Sequence, residues 1–198
     1  MKTFPGFLLI FAVLWSGESL ICEVCNRDGL KCSGQNETCK AQLQTCAVVL
    51  VESTNWGKPR LRTVKTCERR YNCDTPVQSL NMGRGRYERS SVFCCIGEAC
   101  KKSPPRFSPG FVQPNGRECP ACFATQLSLC GSAKVDCSGK EIYCISTYQT
   151  IPVGGTMVTY YKKGCVTRAL CFKRAGSYTK YGDASNPLSN CTYAVRKK

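Results

Sequence analysis

The sequence predicts an all-β, disulfide-rich protein built from two tandem copies of one small cross-linked unit. Three observations lead there. The chain holds 18 cysteines, an even number. Their spacing runs through one pattern and then repeats it. The long gaps between them carry β-branched and aromatic residues around turn-forming residues, with little helical periodicity.

Residues 1–19 read as a secretory signal peptide. Lys2 precedes an apolar stretch from Phe7 to Trp15, and small or polar residues follow at Ser16, Gly17 and Ser19. Gly17 and Ser19 fit the small positions before a cleavage, which places the first mature residue at Leu20. The apolar run is shorter than the roughly 20 residues of a spanning helix. The chain closes on Val195, Arg196, Lys197 and Lys198, not on the hydrophobic tail of a lipid-anchor signal. A secreted, extracellular product without a membrane anchor is expected.

All the cysteines follow that leader, and in an oxidising compartment they favour nine disulfides. Zinc is the rival use of so many cysteines, but export and the absence of histidine argue against it. The same absence removes Ser-His-Asp and Cys-His centres, and full pairing leaves no thiolate nucleophile. Of 13 acidic residues only Glu18 lies in the leader, and no two of the remaining 12 are adjacent. The expectation is a binding protein, not an enzyme, with no catalytic residue, cofactor or metal.

The first block is Cys22, Cys25, Cys32, Cys39, Cys46, Cys67, Cys73, Cys94, Cys95 and Cys100. The second is Cys119, Cys122, Cys130, Cys137, Cys144, Cys165, Cys171 and Cys191. Each opens on a pair two residues apart and reaches a gap of 20 residues; five residues then precede another gap of 20 or 19. In the first module, residues 20–103, Ala47–Val51 and Leu61–Thr66 flank Ser53–Pro59 and read as a hairpin. In the second, residues 119–198, Ile142–Ile151 and Thr156–Tyr161 flank Gly154-Gly155, a strong hairpin signal. Between them, residues 104–118 hold Pro104, Pro105, Pro109 and Pro114 and read as a semi-extended linker that cannot join a central strand. Lys101-Lys102 could serve a dibasic protease, or be simply solvated. Each module has about 80 residues, too few for a large core, so cross-links must contribute much of the stability.

These spacings resemble the lymphocyte-antigen and urokinase-receptor domain family, whose three-finger, snake-toxin-like fold projects hairpins from a disulfide knot. The first module has all ten positions, including Cys94-Cys95 and the close at Cys100. The resemblance implies the pairs Cys22–Cys46, Cys25–Cys32, Cys39–Cys67, Cys73–Cys94 and Cys95–Cys100. For the second module it implies Cys119–Cys144, Cys122–Cys130, Cys137–Cys165 and Cys171–Cys191, with the final pair missing. Spacing alone leaves many connectivities open, although adjacent strand residues face opposite ways and so Cys94 and Cys95 should have different partners. Lys101 also departs from the family, whose single-domain members usually have asparagine after the last cysteine.

The ten-plus-eight arrangement is similar to the gamma-type phospholipase A2 inhibitors across the mature chain. The segments that carry this are Cys22-Glu-Val-Cys25, Cys94-Cys95-Ile-Gly-Glu-Ala-Cys100, Asn115-Gly116 before Cys119-Pro-Ala-Cys122, and Lys163-Gly164-Cys165. That resemblance implies a secreted protein that captures a secreted phospholipase A2 by steric occlusion. A signalling ligand or pheromone-like factor on the same scaffold, and a basic glycan-binding protein, are the alternatives, since fold does not carry function with it.

Contacts are expected at the finger tips. Trp56 sits in the predicted central turn beside Lys58, Arg60 and Arg62, either as an interface anchor or folded back on its own hairpin. Arg84, Arg86 and Tyr87, within Gly83–Arg89, form a second candidate tip or a solvated basic loop. Tyr148, Tyr160 and Tyr161, beside Lys162 and Lys163, read as sheet-face packing more than as a site. The net charge of +15 divides into +6 for residues 20–104 (14 basic, 8 acidic) and +9 for residues 105–198 (13 basic, 4 acidic). Such a field attracts acidic proteins, sulfated glycans and anionic lipid surfaces; nucleic acid is not an expected partner. Asn36-Glu-Thr38 and Asn190-Cys-Thr192 are glycosylation sequons, the first placed between fingers. A homo-oligomer stays open, because the sequence displays no symmetric interface.

Overall fold

The computed structural model describes residues 19–73, 76–101, 107, 113–171 and 190–197. The leader before Ser19 and most of the linker lie outside the described residues. The first module opens with the pair β1 (Ile21–Asp28) and β2 (Gln35–Thr38), antiparallel with Glu23 opposite Asn36. Its centre is β3 (Thr45–Ser53), paired with β4 (Arg60–Glu68) on one side and on the other with β6 (Arg86–Cys95). A strand flanked on both sides and covered on both faces needs a continuous apolar run. β3 supplies it: Ala47, Val48, Val49 and Leu50 are all at most 1% exposed. The last finger is completed by β5 (Gln78–Gly83), which forms a hairpin with β6.

In the second module β7 (Pro114–Pro120) lies between β9 (Lys134–Ser138) and the short β13 (Val195–Arg196). The expectation that the proline-rich stretch stays out of any central strand fails at this end. Pro114 is the first residue of β7, a position at which a missing amide is tolerated, and residues 115–118 continue the strand. The longest hairpin is β10 (Glu141–Val153) with β11 (Thr156–Thr167), in register from Tyr143↔Val166 to Val153↔Thr156. Gly154 and Gly155 form its two-residue loop with φ of 56° and 84°, the positive values this turn demands. Its flanks are β8 (Cys122–Ala124) on β11 and β12 (Asn190–Tyr193) on β10. A single turn of helix, α1 (Arg168–Cys171), follows β11.

Nine disulfides join Cys22–Cys46, Cys25–Cys32, Cys39–Cys67, Cys73–Cys94, Cys95–Cys100, Cys119–Cys144, Cys122–Cys130, Cys137–Cys165 and Cys171–Cys191. These are the pairs that the family resemblance implies. The sulfurs cluster with Val48 in the first module and with Ala194 in the second, so each knot is also a small core.

The modules do not hang separately from their linker. β5 of the first pairs antiparallel with β11 of the second through Asn81↔Cys165 and Leu80↔Val166. One sheet therefore runs from β12 through β10, β11, β5, β6, β3, β4 and β1 to β2. Leu80 and Met82 leave their own module and pack with Tyr143, Ile145, Val166 and Cys171. Gly164 makes that approach feasible: a Cβ there would lie 2.0 Å from the Asn81 carbonyl oxygen. Side chains reinforce the seam, with Ser79 Oγ donating to Glu141 at 2.8 Å and the Ser79 amide donating to Thr167 Oγ1 at 3.1 Å.

Candidate binding surface at the joined finger tips

The β3–β4 turn and the β5–β6 turn are far apart in sequence and are held as one unit. The Thr54 hydroxyl donates to the Gly85 carbonyl at 2.7 Å and accepts from the Tyr87 amide at 2.8 Å, while the Thr54 amide donates to the Tyr87 carbonyl at 3.0 Å. Asn55 Nδ2 donates to Glu88, and Glu52 pairs with Arg89. Buried Thr54 and Asn55 thus splice two turns into one ledge.

Trp56 crowns that ledge at 49% exposure, and its ring leaves its own hairpin. It meets Phe123 edge-on with centroids 5.8 Å apart and Tyr160 at 5.1 Å, while Phe123 and Tyr160 stack at 5.3 Å. Both partners belong to the second module, an arrangement outside the two sequence readings of Trp56. Arg86 places its guanidinium 5.4 Å from the Phe123 centroid and donates to the Phe123 carbonyl at 3.4 Å. The segment 83–89 is therefore only partly a solvated loop: Arg84, Gly85 and Arg86 are exposed, Tyr87 and Glu88 half-buried. Burial, then the Glu52 carboxylate, pushes the Tyr87 hydroxyl above its ordinary pKa.

Lys162 is buried and directs its charge inward. Its Nζ lies 2.5 Å from Glu88 and donates to Gln149 Oε1 at 2.7 Å, which ties the second module to the ledge. Tyr148 and Tyr161 are opposite residues in the β10–β11 ladder with rings 6.1 Å apart, as sheet-face packing requires. Exposed cations remain at Lys58, Arg60, Arg84 and Arg86, none of them ion-paired among the described residues. Asn36 and Asn190 are both exposed, in β2 and β12; Asn36 therefore sits within the first finger and not between fingers.

Sequence reasoning passed over Phe123. It follows Cys122 in a segment without periodicity, and only the fold reveals that its ring joins Trp56 to Tyr160. The sulfurs of Cys22, Cys39 and Cys67, and of Cys119, Cys137 and Cys165, lie close enough together to suggest a metal site. Each is committed to a disulfide, so neither group presents a thiolate. The surface has the chemistry of recognition: exposed aromatic area, four cations and a scaffold fixed by hydrogen bonds.

Residues 20–102 match the phospholipase A2 inhibitor domain, and residues 115–192 match the u-PAR/Ly-6 domain. A gamma-type phospholipase A2 inhibitor of Laticauda semifasciata is 32% identical over 77% of this chain and 84% of its own length. The chain belongs to the gamma-type phospholipase A2 inhibitor family. Phospholipase A2 inhibitor NAI of Notechis ater is 30% identical over 86% of each chain. A gamma-type inhibitor of Elaphe climacophora is 28% identical over 98% of each. The two matched ranges together include Trp56 and Arg86 in the first and Phe123 and Tyr160 in the second.

Proposed function

We propose that this chain is a secreted inhibitor of phospholipase A2 that uses the joined finger tips to capture the enzyme and cover its lipid-facing side. It is not an enzyme in this reading; it performs no bond-making step. The observation that carries the proposal is the 32% identity, over 77% of the chain, to a protein named a phospholipase A2 inhibitor. The surface adds a physical means. Trp56 supplies a half-exposed aromatic anchor, and the hydrogen bonds of Thr54 hold it before any partner arrives, which lowers the ordering cost of association. Lys58, Arg60, Arg84 and Arg86 supply positive potential around it.

The domain limits follow the same reading: a leader over 1–19, modules over 20–103 and 119–198, and a linker over 104–118 whose last residues have become sheet. Hydrogen exchange on the complex with a secreted phospholipase A2 tests where the contact lies. Amides of residues 53–59 and 83–89 should gain protection together, because the two turns are one ledge. Protection confined to β1–β2, with those turns unchanged, would remove them from the interface.

A further inference from the structure

The β10–β11 hairpin extends well beyond the strands that flank it. Among the described residues β8 reaches only the Tyr161↔Ala124 pair and β12 only Ser146↔Asn190. Among the described residues the five rungs from Gln149↔Tyr160 to Val153↔Thr156 pair with no further strand. At about 3.4 Å per residue they lift the tip roughly 17 Å outward. From Ile142 to Tyr161 the sequence has no Asp, Glu, Lys or Arg, in a chain of net charge +15.

That tip carries apolar side chains on both faces beyond the Thr150–Thr159 pair. Strand alternation puts Pro152 and Met157 on one side and Ile151 and Val158 on the other. Val153 is 44% and Met157 63% exposed. Exposed apolar surface of this kind marks an interaction site, and apolar character all around suits a surrounding phase better than a one-sided protein groove. The tip's base carries aromatic and then basic residues. Tyr148 and Tyr161 pair there, Tyr160 meets Trp56, and the Trp56 ledge brings Lys58, Arg60, Arg84 and Arg86 to the same end of the molecule. Aromatic side chains with a polar edge settle at the headgroup level of a bilayer, and cations are drawn to anionic headgroups.

We propose that the β10–β11 tip inserts into an anionic lipid surface, with Val153 and Met157 entering the acyl boundary and the Trp56 ledge resting its cations on the headgroups. Among the described residues no strand pairs with the outer edges of the ribbon at these rungs, and backbone groups without partners there limit insertion to the hydrated interfacial zone. This activity needs no phospholipase, although it uses the same cationic ledge as enzyme capture.

The test uses the purified secreted chain, vesicles of equimolar phosphatidylcholine and phosphatidylserine, and vesicles of phosphatidylcholine alone. Cosedimentation should be strong with the anionic vesicles, weak with the neutral ones, and reduced by salt. Trp56 emission should shift to the blue on binding, since the leader's Trp15 is the other tryptophan of the sequence. The double variant Val153→Asp with Met157→Asp should melt as the parent does, because both sites are exposed, and should weaken vesicle binding about tenfold or more. Parent-like vesicle binding by that variant, or no binding by the parent, overturns the proposal. If the variant instead loses a phospholipase in a lipid-free binding assay while the parent ignores vesicles, the tip contacts the enzyme and the lipid assignment is wrong. Vesicle binding without capture of any phospholipase leaves the lipid assignment standing and defeats the inhibitor reading.

Discussion

Arg84 sits in the left-handed region at φ 53°, the only non-glycine residue with positive φ among those described. A side chain there costs about 1 kcal/mol relative to glycine in the folded state, and glycine gives back a similar amount through its greater freedom when unfolded. Arg84→Gly should therefore change stability by less than about 1 kcal/mol in a denaturant titration, yet weaken enzyme capture several-fold. Loss of stability together with capture would mark Arg84 as a structural residue. Trp56 is the clearest case of a residue half legible in the sequence. Its exposure and cationic neighbours follow from a polar turn between two strand-like runs. Its contact with Phe123 and Tyr160 does not, because a turn sequence records nothing about the surface that will lie beside it.

Hairpins were legible at the level of elements because local rules govern them: Gly154-Gly155 enforces a two-residue turn, and alternation around it fixes the register. β7 escaped because prolines dominate the composition of its surroundings, while within the strand they stand only at its ends, Pro114 first and Pro120 last. The seam between β5 and β11 is set by burial. Glu141, at the start of β10, is 5% exposed and accepts from Ser79 Oγ at 2.8 Å and from the Ser138 amide at 3.1 Å. Burial raises its pKa above the ordinary carboxylate value, and hydrogen bonds from Ser79, the Ser138 amide and the Asn81 side chain oppose that rise. A carboxyl whose folded pKa exceeds its unfolded one favours folding most when protonated, so its contribution is full below the unfolded pKa and lost as pH rises through the folded value. Glu141→Gln keeps an acceptor for Ser138 and can donate to Ser79. It should raise the Tm at neutral pH and converge with the parent as the pH falls toward about 4. An equal Tm difference at both pH values would mean that the Glu141 charge does not oppose the seam.

For the whole molecule, the duplicated cysteine pattern announces two modules but not their union into one sheet. Leu80 and Met82 alternate with polar residues as any half-buried strand does, and nothing in that alternation says that their partners lie in the other module. The consequence is a recognition surface that neither module owns, since Trp56 and Arg86 come from one and Phe123 and Tyr160 from the other. The charge of +15 acts at this scale too. Association with an acidic phospholipase should slow as salt rises, with dissociation changing much less. The most direct measurement is a titration of the purified secreted chain into a panel of secreted phospholipase A2 enzymes at physiological salt, following binding and residual hydrolysis together. Saturable binding with matching loss of hydrolysis for at least one enzyme is the predicted result; no binding to any of them at micromolar concentration would contradict it.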